Sequence, residues 1–209
     1  FIPLTVGGGI RSIDDINNVL RAGADKVSIN TAAIKNPDLI KEASKVFGSS
    51  TIVIAIETIK SEQGEYLAYT DNGREYTGVN VVDWAQKVQE LGAGEILLTS
   101  IDKEGTGNGF DNKIIREVSS VVDIPVIAHG GAGKIDHISE VLKTSSPDAI
   151  AISSILHYST YEKVNKANNK DFAEGNLVFL ENARMFKNFN MTSIIEIKTH
   201  LKKNKILTR

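Results

Sequence analysis

The sequence predicts an α/β fold of the (β/α)8 barrel type, and three observations carry that expectation. Short apolar, β-branched runs alternate with amphipathic helical stretches, the pattern of a parallel sheet. The stretch "GGGIRSIDDINNVL" at 7–20 returns as "HGGAGKIDHISEVL" at 129–142. Gly8, Gly9, Ile13, Asp14, Ile16, Val19 and Leu20 fall without gaps on Gly130, Gly131, Ile135, Asp136, Ile138, Val141 and Leu142, an offset of 122 residues. The offset then becomes 123, and "ADKVSINTA" (24–32) lies over "PDAIAISSI" (147–155). The repeated unit is strand, glycine turn, helix, loop, strand. With four βα units per copy, eight units fill about 245 residues, the ordinary size of such a barrel. A doubly wound sheet is the competing fold; the duplicated glycine turns favour the barrel.

The elements follow in order. "IPLTVGGG" (2–9) is a strand running into a glycine turn, and the apolar spacing of 13–20 makes the helix after it. "DKVSIN" (25–30) is the next strand. "STIVIAIE" (50–57) is apolar on both faces, as a buried parallel strand requires. "VNVVDWAQKVQELGAG" (79–94) has helical spacing and a glycine stop. "EILLTSI" (95–101), "IPVIAHGG" (124–131) and "DAIAIS" (148–153) are further strands, and "NKIIREVSSVV" (112–122) is a helix. That makes six strands, each followed by a helix or a loop leading to one. Copy one then begins at strand 3 and copy two at strand 7. Strands 1 and 2, roughly 60–75 residues, are expected upstream of Phe1, which already stands inside an apolar run. Residues 1–209 are read as a single barrel domain of strands 3 to 8.

Composition bounds the function. The chain has 209 residues, a net charge of −2, 41% hydrophobic residues and no cysteine. Near-neutral charge gives no reason to expect nucleic acid or an anionic membrane as partner. No apolar run approaches the ~18–20 residues of a membrane span, and no secretory signal pattern is present. Disulfides and thiolate metal sites are excluded. A cytoplasmic location is expected.

In a barrel, ligands bind at the carboxyl ends of the strands. Both glycine turns lie there. Glycines let backbone N–H groups approach an anion, and the following helix dipole assists. The next strand of each copy ends in small polar side chains, Asn30 and Thr31 in one and Ser153 and Ser154 in the other. Two such sites half a barrel apart suit a substrate with a phosphate at each end. Glu57 closes one buried strand and is the candidate general acid or base. Asp102 follows another and reads as a loop-structuring or substrate-contact residue. His129 precedes the second glycine turn, facing substrate or filling the barrel mouth. His137, His157 and His200 fall on helix or surface positions, with no metal-ligand spacing, so no metal is expected. No cofactor is indicated. "KKNK" (202–205) reads as a solvated helix end.

"PLTVGGGIRS", "GADKVSINTAA", "GAGEILLTSIDKEGTGNGFD" and "HGGAGK" resemble the cyclase subunit of imidazole glycerol phosphate synthase. The likeness runs over nearly all of 1–158 and resumes at 194–206; the "GAGEILLTSID" stretch with its following acidic-Gly-Thr separates this subunit from the sister isomerase of the same pathway. The resemblance implies a barrel that takes ammonia from a glutaminase partner bound at its amino-terminal face. It implies a bisphosphorylated ribulosyl substrate, closure of an imidazole ring, and two aspartates as acid and base. It assigns Gly8, Gly9, Asn30 and Thr31 to one phosphate and Gly105, Gly131, Ser153 and Ser154 to the other. Ser28 and Thr99 match residues lining the substrate channel, Lys26 and Glu95 the ammonia entrance, and Asp25 a residue facing the glutaminase. A structural ion pair is the plainer account of Lys26 and Glu95.

Departures from the family pattern matter. The strand-1 aspartate is absent with its strand. Glu57 stands where the strand-5 aspartate is usual, Glu104 where a substrate-contacting aspartate is usual, and His129 where a serine is usual. An insertion at about 159–192 precedes the last helix. Paralogues of this cyclase deliver ammonia for amidation of an N-acetyl sugar of surface polysaccharide, and that is the alternative function.

Overall fold

The computed structural model describes residues 2–166 and 189–208. Its frame is a parallel sheet of β1 (Thr5–Gly7), β2 (Lys26–Ile29), β3 (Ile52–Lys60), β6 (Glu95–Ser100), β7 (Val126–His129) and β8 (Ala149–Ile150). Those strands lie side by side in chain order, β1-β2-β3-β6-β7-β8. A doubly wound sheet reverses its order at a switch point; this one never does. The α-helices among the described residues are α1 (Ile13–Arg21), α2 (Thr31–Lys35), α3 (Asp38–Phe47), α4 (Val81–Glu90), α5 (Asn112–Ser119), α6 (Ile135–Thr144), α7 (Ser154–Lys166) and α8 (Ile194–Lys203).

Strand side chains alternate between two faces. Val27, Ile29, Ile52, Ile54, Ile56, Ile96, Leu98, Val126 and Ala128 face the helices, and they join Ile16, Leu39, Ile40, Trp84, Val88, Ile114, Ile138 and Val141 in one hydrophobic cluster. The alternate residues, Lys26, Ser28, Glu57, Thr99 and His129 among them, stand outside that cluster. One face is thus core and the other is polar at its ends. The curled parallel sheet with sequential order and helices on one face is barrel-like.

The sequence repeat is visible in the hydrogen bonds. Thr5 pairs with Lys26 and Val6 with Val27 in copy one; Ile127 pairs with Ala149 and Ala128 with Ile150 in copy two. These are the same register once the 122 and 123 offsets are applied. The N–H of Leu4 donates to Asp25 Oδ2 (2.7 Å), and the N–H of its counterpart Val126 donates to Asp148 Oδ2 (2.9 Å).

Three expectations need correction. β3 does not stop at Glu57 but continues to Lys60. It is followed not by a helix but by an antiparallel hairpin, β4 (Tyr66–Thr70) and β5 (Glu75–Asn80), with β4 on the edge of β3 beyond the end of β2. Val79 and Asn80 belong to β5, and Asn80 caps α4 through its side chain. Of the insertion expected at 159–192, residues 167–188 lie outside those described. Residues 159–166 continue α7. At its far end Phe189 is buried beside Tyr158, with ring centroids 5.5 Å apart. The Asn190 N–H donates to the Gly133 carbonyl (2.7 Å), tying the segment to the second glycine turn.

Candidate functional site

The two glycine turns adopt the left-handed conformation that the repeat requires. Gly8 and Gly9 have φ of +104° and +70°, and Gly130 and Gly131 of +96° and +103°. The first turn is open, with nothing near a hypothetical Cβ. The second is crowded: a Cβ on Gly131 would lie 2.1 Å from the Gly109 carbonyl oxygen, and one on Gly130 2.6 Å from that of Ser100. Glycine is therefore demanded twice over at 130 and 131, by conformation and by space. Ser12 caps α1 by accepting from the Asp15 N–H (3.1 Å), whereas its counterpart Lys134 supplies no side-chain cap to α6.

Asn30 and Thr31 open α2, and Ser153 and Ser154 stand at the same place before and in α7. The hairpin covers the first pair. Asn30 Nδ2 donates to the Tyr69 carbonyl (3.4 Å), and the Asp71 N–H donates to Thr31 Oγ1 (3.4 Å).

Between the turns, three side chains form a row. Glu57 on β3 is in register with Thr99 on β6, and Thr99 with His129 on β7. In-register residues of parallel strands point to the same face, so all three project from the face opposite the helices. Thr99 Oγ1 and His129 Nδ1 share a hydrogen bond of 3.1 Å. Ser28, next to last in β2, is in register with Gly7 at the end of β1 and with Val53 near the start of β3.

Glu57 is half-buried, and its Oε2 accepts from the Gly73 N–H at the hairpin tip (2.9 Å). Burial pushes its carboxyl above the ordinary range; the Gly73 N–H and the Asn30 side chain pull the other way, and the charges of Glu104 and Asp71 add to the rise. Burial wins, giving a carboxyl that keeps its proton more readily than a surface glutamate.

Asp102 accepts from the Lys60 N–H (2.8 Å). Glu104 is exposed in the same loop, and Gly105 there has φ of +70°. The Gly109 N–H donates to the Gly131 carbonyl (2.8 Å), joining this loop to the second turn. Lys26 and Glu95, the first residues of β2 and β6, form a hydrogen-bonded ion pair at the opposite end of the sheet from the glycine turns. Asp25 beside them is exposed and holds the Leu4 N–H. Among the described residues no group of three or more acidic or histidine side chains is placed to hold a metal ion. No described helix is long and apolar enough to cross a membrane.

The sequence reading missed the Gly73 N–H on Glu57 and the hairpin that supplies it. The signal was present: "YLAYT", "DNG" and "EYTGV" are two strand-forming runs around a turn.

Fold and site together define a barrel-type α/β protein with a repeated strand–turn–helix–strand unit and a carboxylate between two glycine turns. A family model described as histidine biosynthesis protein matches residues 1–162, and the chain belongs to that family. It is 51% identical over 180 residues to the imidazole glycerol phosphate synthase subunit HisF of Methanocaldococcus jannaschii, covering 77% of this chain and 66% of that one. It is 54% identical over 158 residues to the subunit of the same name from Bacillus cereus strain Q1, covering 76% and 63%. The chain thus spans just under two thirds of the length of these relatives.

Proposed function

We propose that this chain carries the ring-closing site of an imidazole glycerol phosphate synthase cyclase subunit. Ammonia from a glutaminase partner and a bisphosphorylated ribulosyl substrate are converted there to imidazole glycerol phosphate and an aminoimidazole carboxamide ribotide. The observation that carries the reading is geometric: two glycine turns of like conformation, one in each copy, flank the row that holds Glu57. Gly8, Gly9, Asn30 and Thr31 serve one phosphate, and Gly105, Gly131, Ser153 and Ser154 the other. Backbone N–H groups at helix starts suit phosphate. Ser28, Thr99, Asp102, Glu104 and His129 line the space between.

Glu57 is the acid–base group of this chain. Its raised proton affinity matches a group that must hold a proton and then give it up near neutral pH. At the other end of the sheet, Lys26 and Glu95 guard the ammonia entrance and Asp25 faces the glutaminase. The reaction belongs in the cytoplasm.

The test is turnover of the substrate by the complete protein with ammonium as nitrogen source. Turnover that drops ~10²-fold or more in Glu57→Gln establishes the reading. A native protein that is inactive but gains turnover in Glu57→Asp would replace it with the ammonia-delivering paralogue, since one methylene moves the reactive oxygen by about 1 Å.

A further inference from the structure

We propose that His129 is a second proton-transfer residue of this site, working opposite Glu57 across Thr99. The inference rests on the cyclase reading and deepens it. His129 ends β7 on the face that carries Glu57, outside the hydrophobic cluster, and it is half-buried. The register chain Glu57–Thr99–His129 sets the two backbones two strand spacings apart, about 10 Å. Both side chains project from the same face, one on either side of Thr99.

Thr99 gives the arrangement its definition. It is only 7% exposed, on a strand paired on both sides, and its hydroxyl meets His129 Nδ1 at 3.1 Å. That contact fixes the imidazole through one nitrogen and leaves Nε2 as the atom free to exchange a proton with substrate. A filler at the sheet's mouth would need neither the polar ring nor its orienting hydroxyl.

The chemistry balances with two such groups. Ammonia's lone pair forms a C–N bond to the ketone carbon of a ribulosyl chain, and the carbonyl π pair moves to oxygen. The acid form of Glu57 protonates that oxygen, and neutral His129 takes the proton shed by the new ammonium. The imidazolium then protonates the hydroxyl, which leaves as water. The resulting iminium returns a proton to Glu57, so imine and water form and both side chains are restored.

The test uses the complete protein, ammonium and the ribulosyl bisphosphate. Three variants, His129→Ala, His129→Gln and Thr99→Val, are each checked for native circular dichroism. His129→Ala and His129→Gln are expected to lower kcat by ~10²–10⁴-fold with KM within about threefold of native. Free imidazole should restore His129→Ala by about tenfold or more and leave His129→Gln, whose cavity is filled, unchanged. Thr99→Val is expected to lose about tenfold in kcat. A kcat within threefold of native in His129→Gln overturns the proposal, as does a loss in His129→Ala that imidazole does not restore. An inactive native protein overturns the cyclase reading and this proposal with it; an active one with indifferent His129 variants overturns this proposal alone.

Discussion

Glu57 enters the site from the middle of a strand, held on one side by Thr99's strand and on the other by the hairpin that donates the Gly73 N–H. A carboxyl raised by burial binds its proton more tightly in the folded protein than in the unfolded chain. Its ionised form therefore weakens the fold once pH exceeds the raised value, and the penalty fades as pH falls back through the ordinary carboxylate range. Glu57→Gln should accordingly raise the melting temperature at pH 7–8, with no gain at pH 4; a lower Tm at pH 7 would show that the Gly73 and Asn30 contacts outweigh burial. His137 has the opposite sense. Its Nδ1 accepts from the Gly133 N–H (3.2 Å), and burial with Lys134 nearby holds the ring below its ordinary value of 6.5. The fold favours the neutral ring, so stability is lost as pH falls through that ordinary value and below it. His137→Gln should flatten the fall in Tm between pH 7 and pH 5, and a fall as steep as the native protein's would dismiss the contact as unimportant.

The hairpin is the element that organises the site, and its base is a staple. Lys60 and Tyr66 are cross-strand partners. Lys60 donates its N–H to Asp102 at the start of the 101–111 loop, and the Tyr66 hydroxyl donates to both carboxylate oxygens of Asp111 at its end (2.9 and 3.0 Å). One strand pair thus pins both ends of the loop that carries Glu104 and Gly105. Tyr66 is 5% exposed, and burial together with the Asp111 charge pushes its phenol strongly upward, so it stays a donor. Tyr66→Phe removes a buried bond to a charged acceptor, a loss of roughly 1.5–3 kcal/mol. For a chain of this size that lowers Tm by about 3–12 °C. Substrate KM should rise more than kcat falls, because the loop and not the reacting row is released; an unchanged KM would separate the staple from the site. The parallel strands were legible in the sequence because their apolar runs answer to a core face. The hairpin was not read because its second strand lacks a buried face, "EYTGVN" being exposed or half-buried throughout, although "YLAYT" alternates. Glu57 was legible as a carboxylate on a buried strand, but its Gly73 partner is a backbone group and carries no residue type to recognise.

At the scale of the whole molecule one strand–turn–helix–strand unit stands twice in the chain, and the likeness extends to single hydrogen bonds. The Asp25 and Asp148 carboxylates accept the N–H of Leu4, just before β1, and of Val126, the first residue of β7, and each aspartate donates its own N–H back to the Leu4 or Val126 carbonyl, at 2.8 and 2.9 Å. A side chain that performs the same task where no partner protein is in question has a structural reason to be there. The contact with a glutaminase proposed for Asp25 is then an added use of a group the fold already needs. Removing each acceptor by Asp25→Ala and Asp148→Ala should cost about 0.5–1.5 kcal/mol apiece, the ordinary net worth of one hydrogen bond. The two sites lie at opposite ends of the strand order, with β3 and β6 between their strand pairs. Distant sites add, so the double variant should lose the sum of the singles to within ~0.5 kcal/mol in urea unfolding. A smaller loss in the double variant would mean that the copies unfold as coupled units, and a negligible loss at Asp25 alone would leave partner contact as its principal role. Glutaminase affinity separates the two uses: it should fall in Asp25→Ala and hold in Asp148→Ala, although the same bond is broken in both.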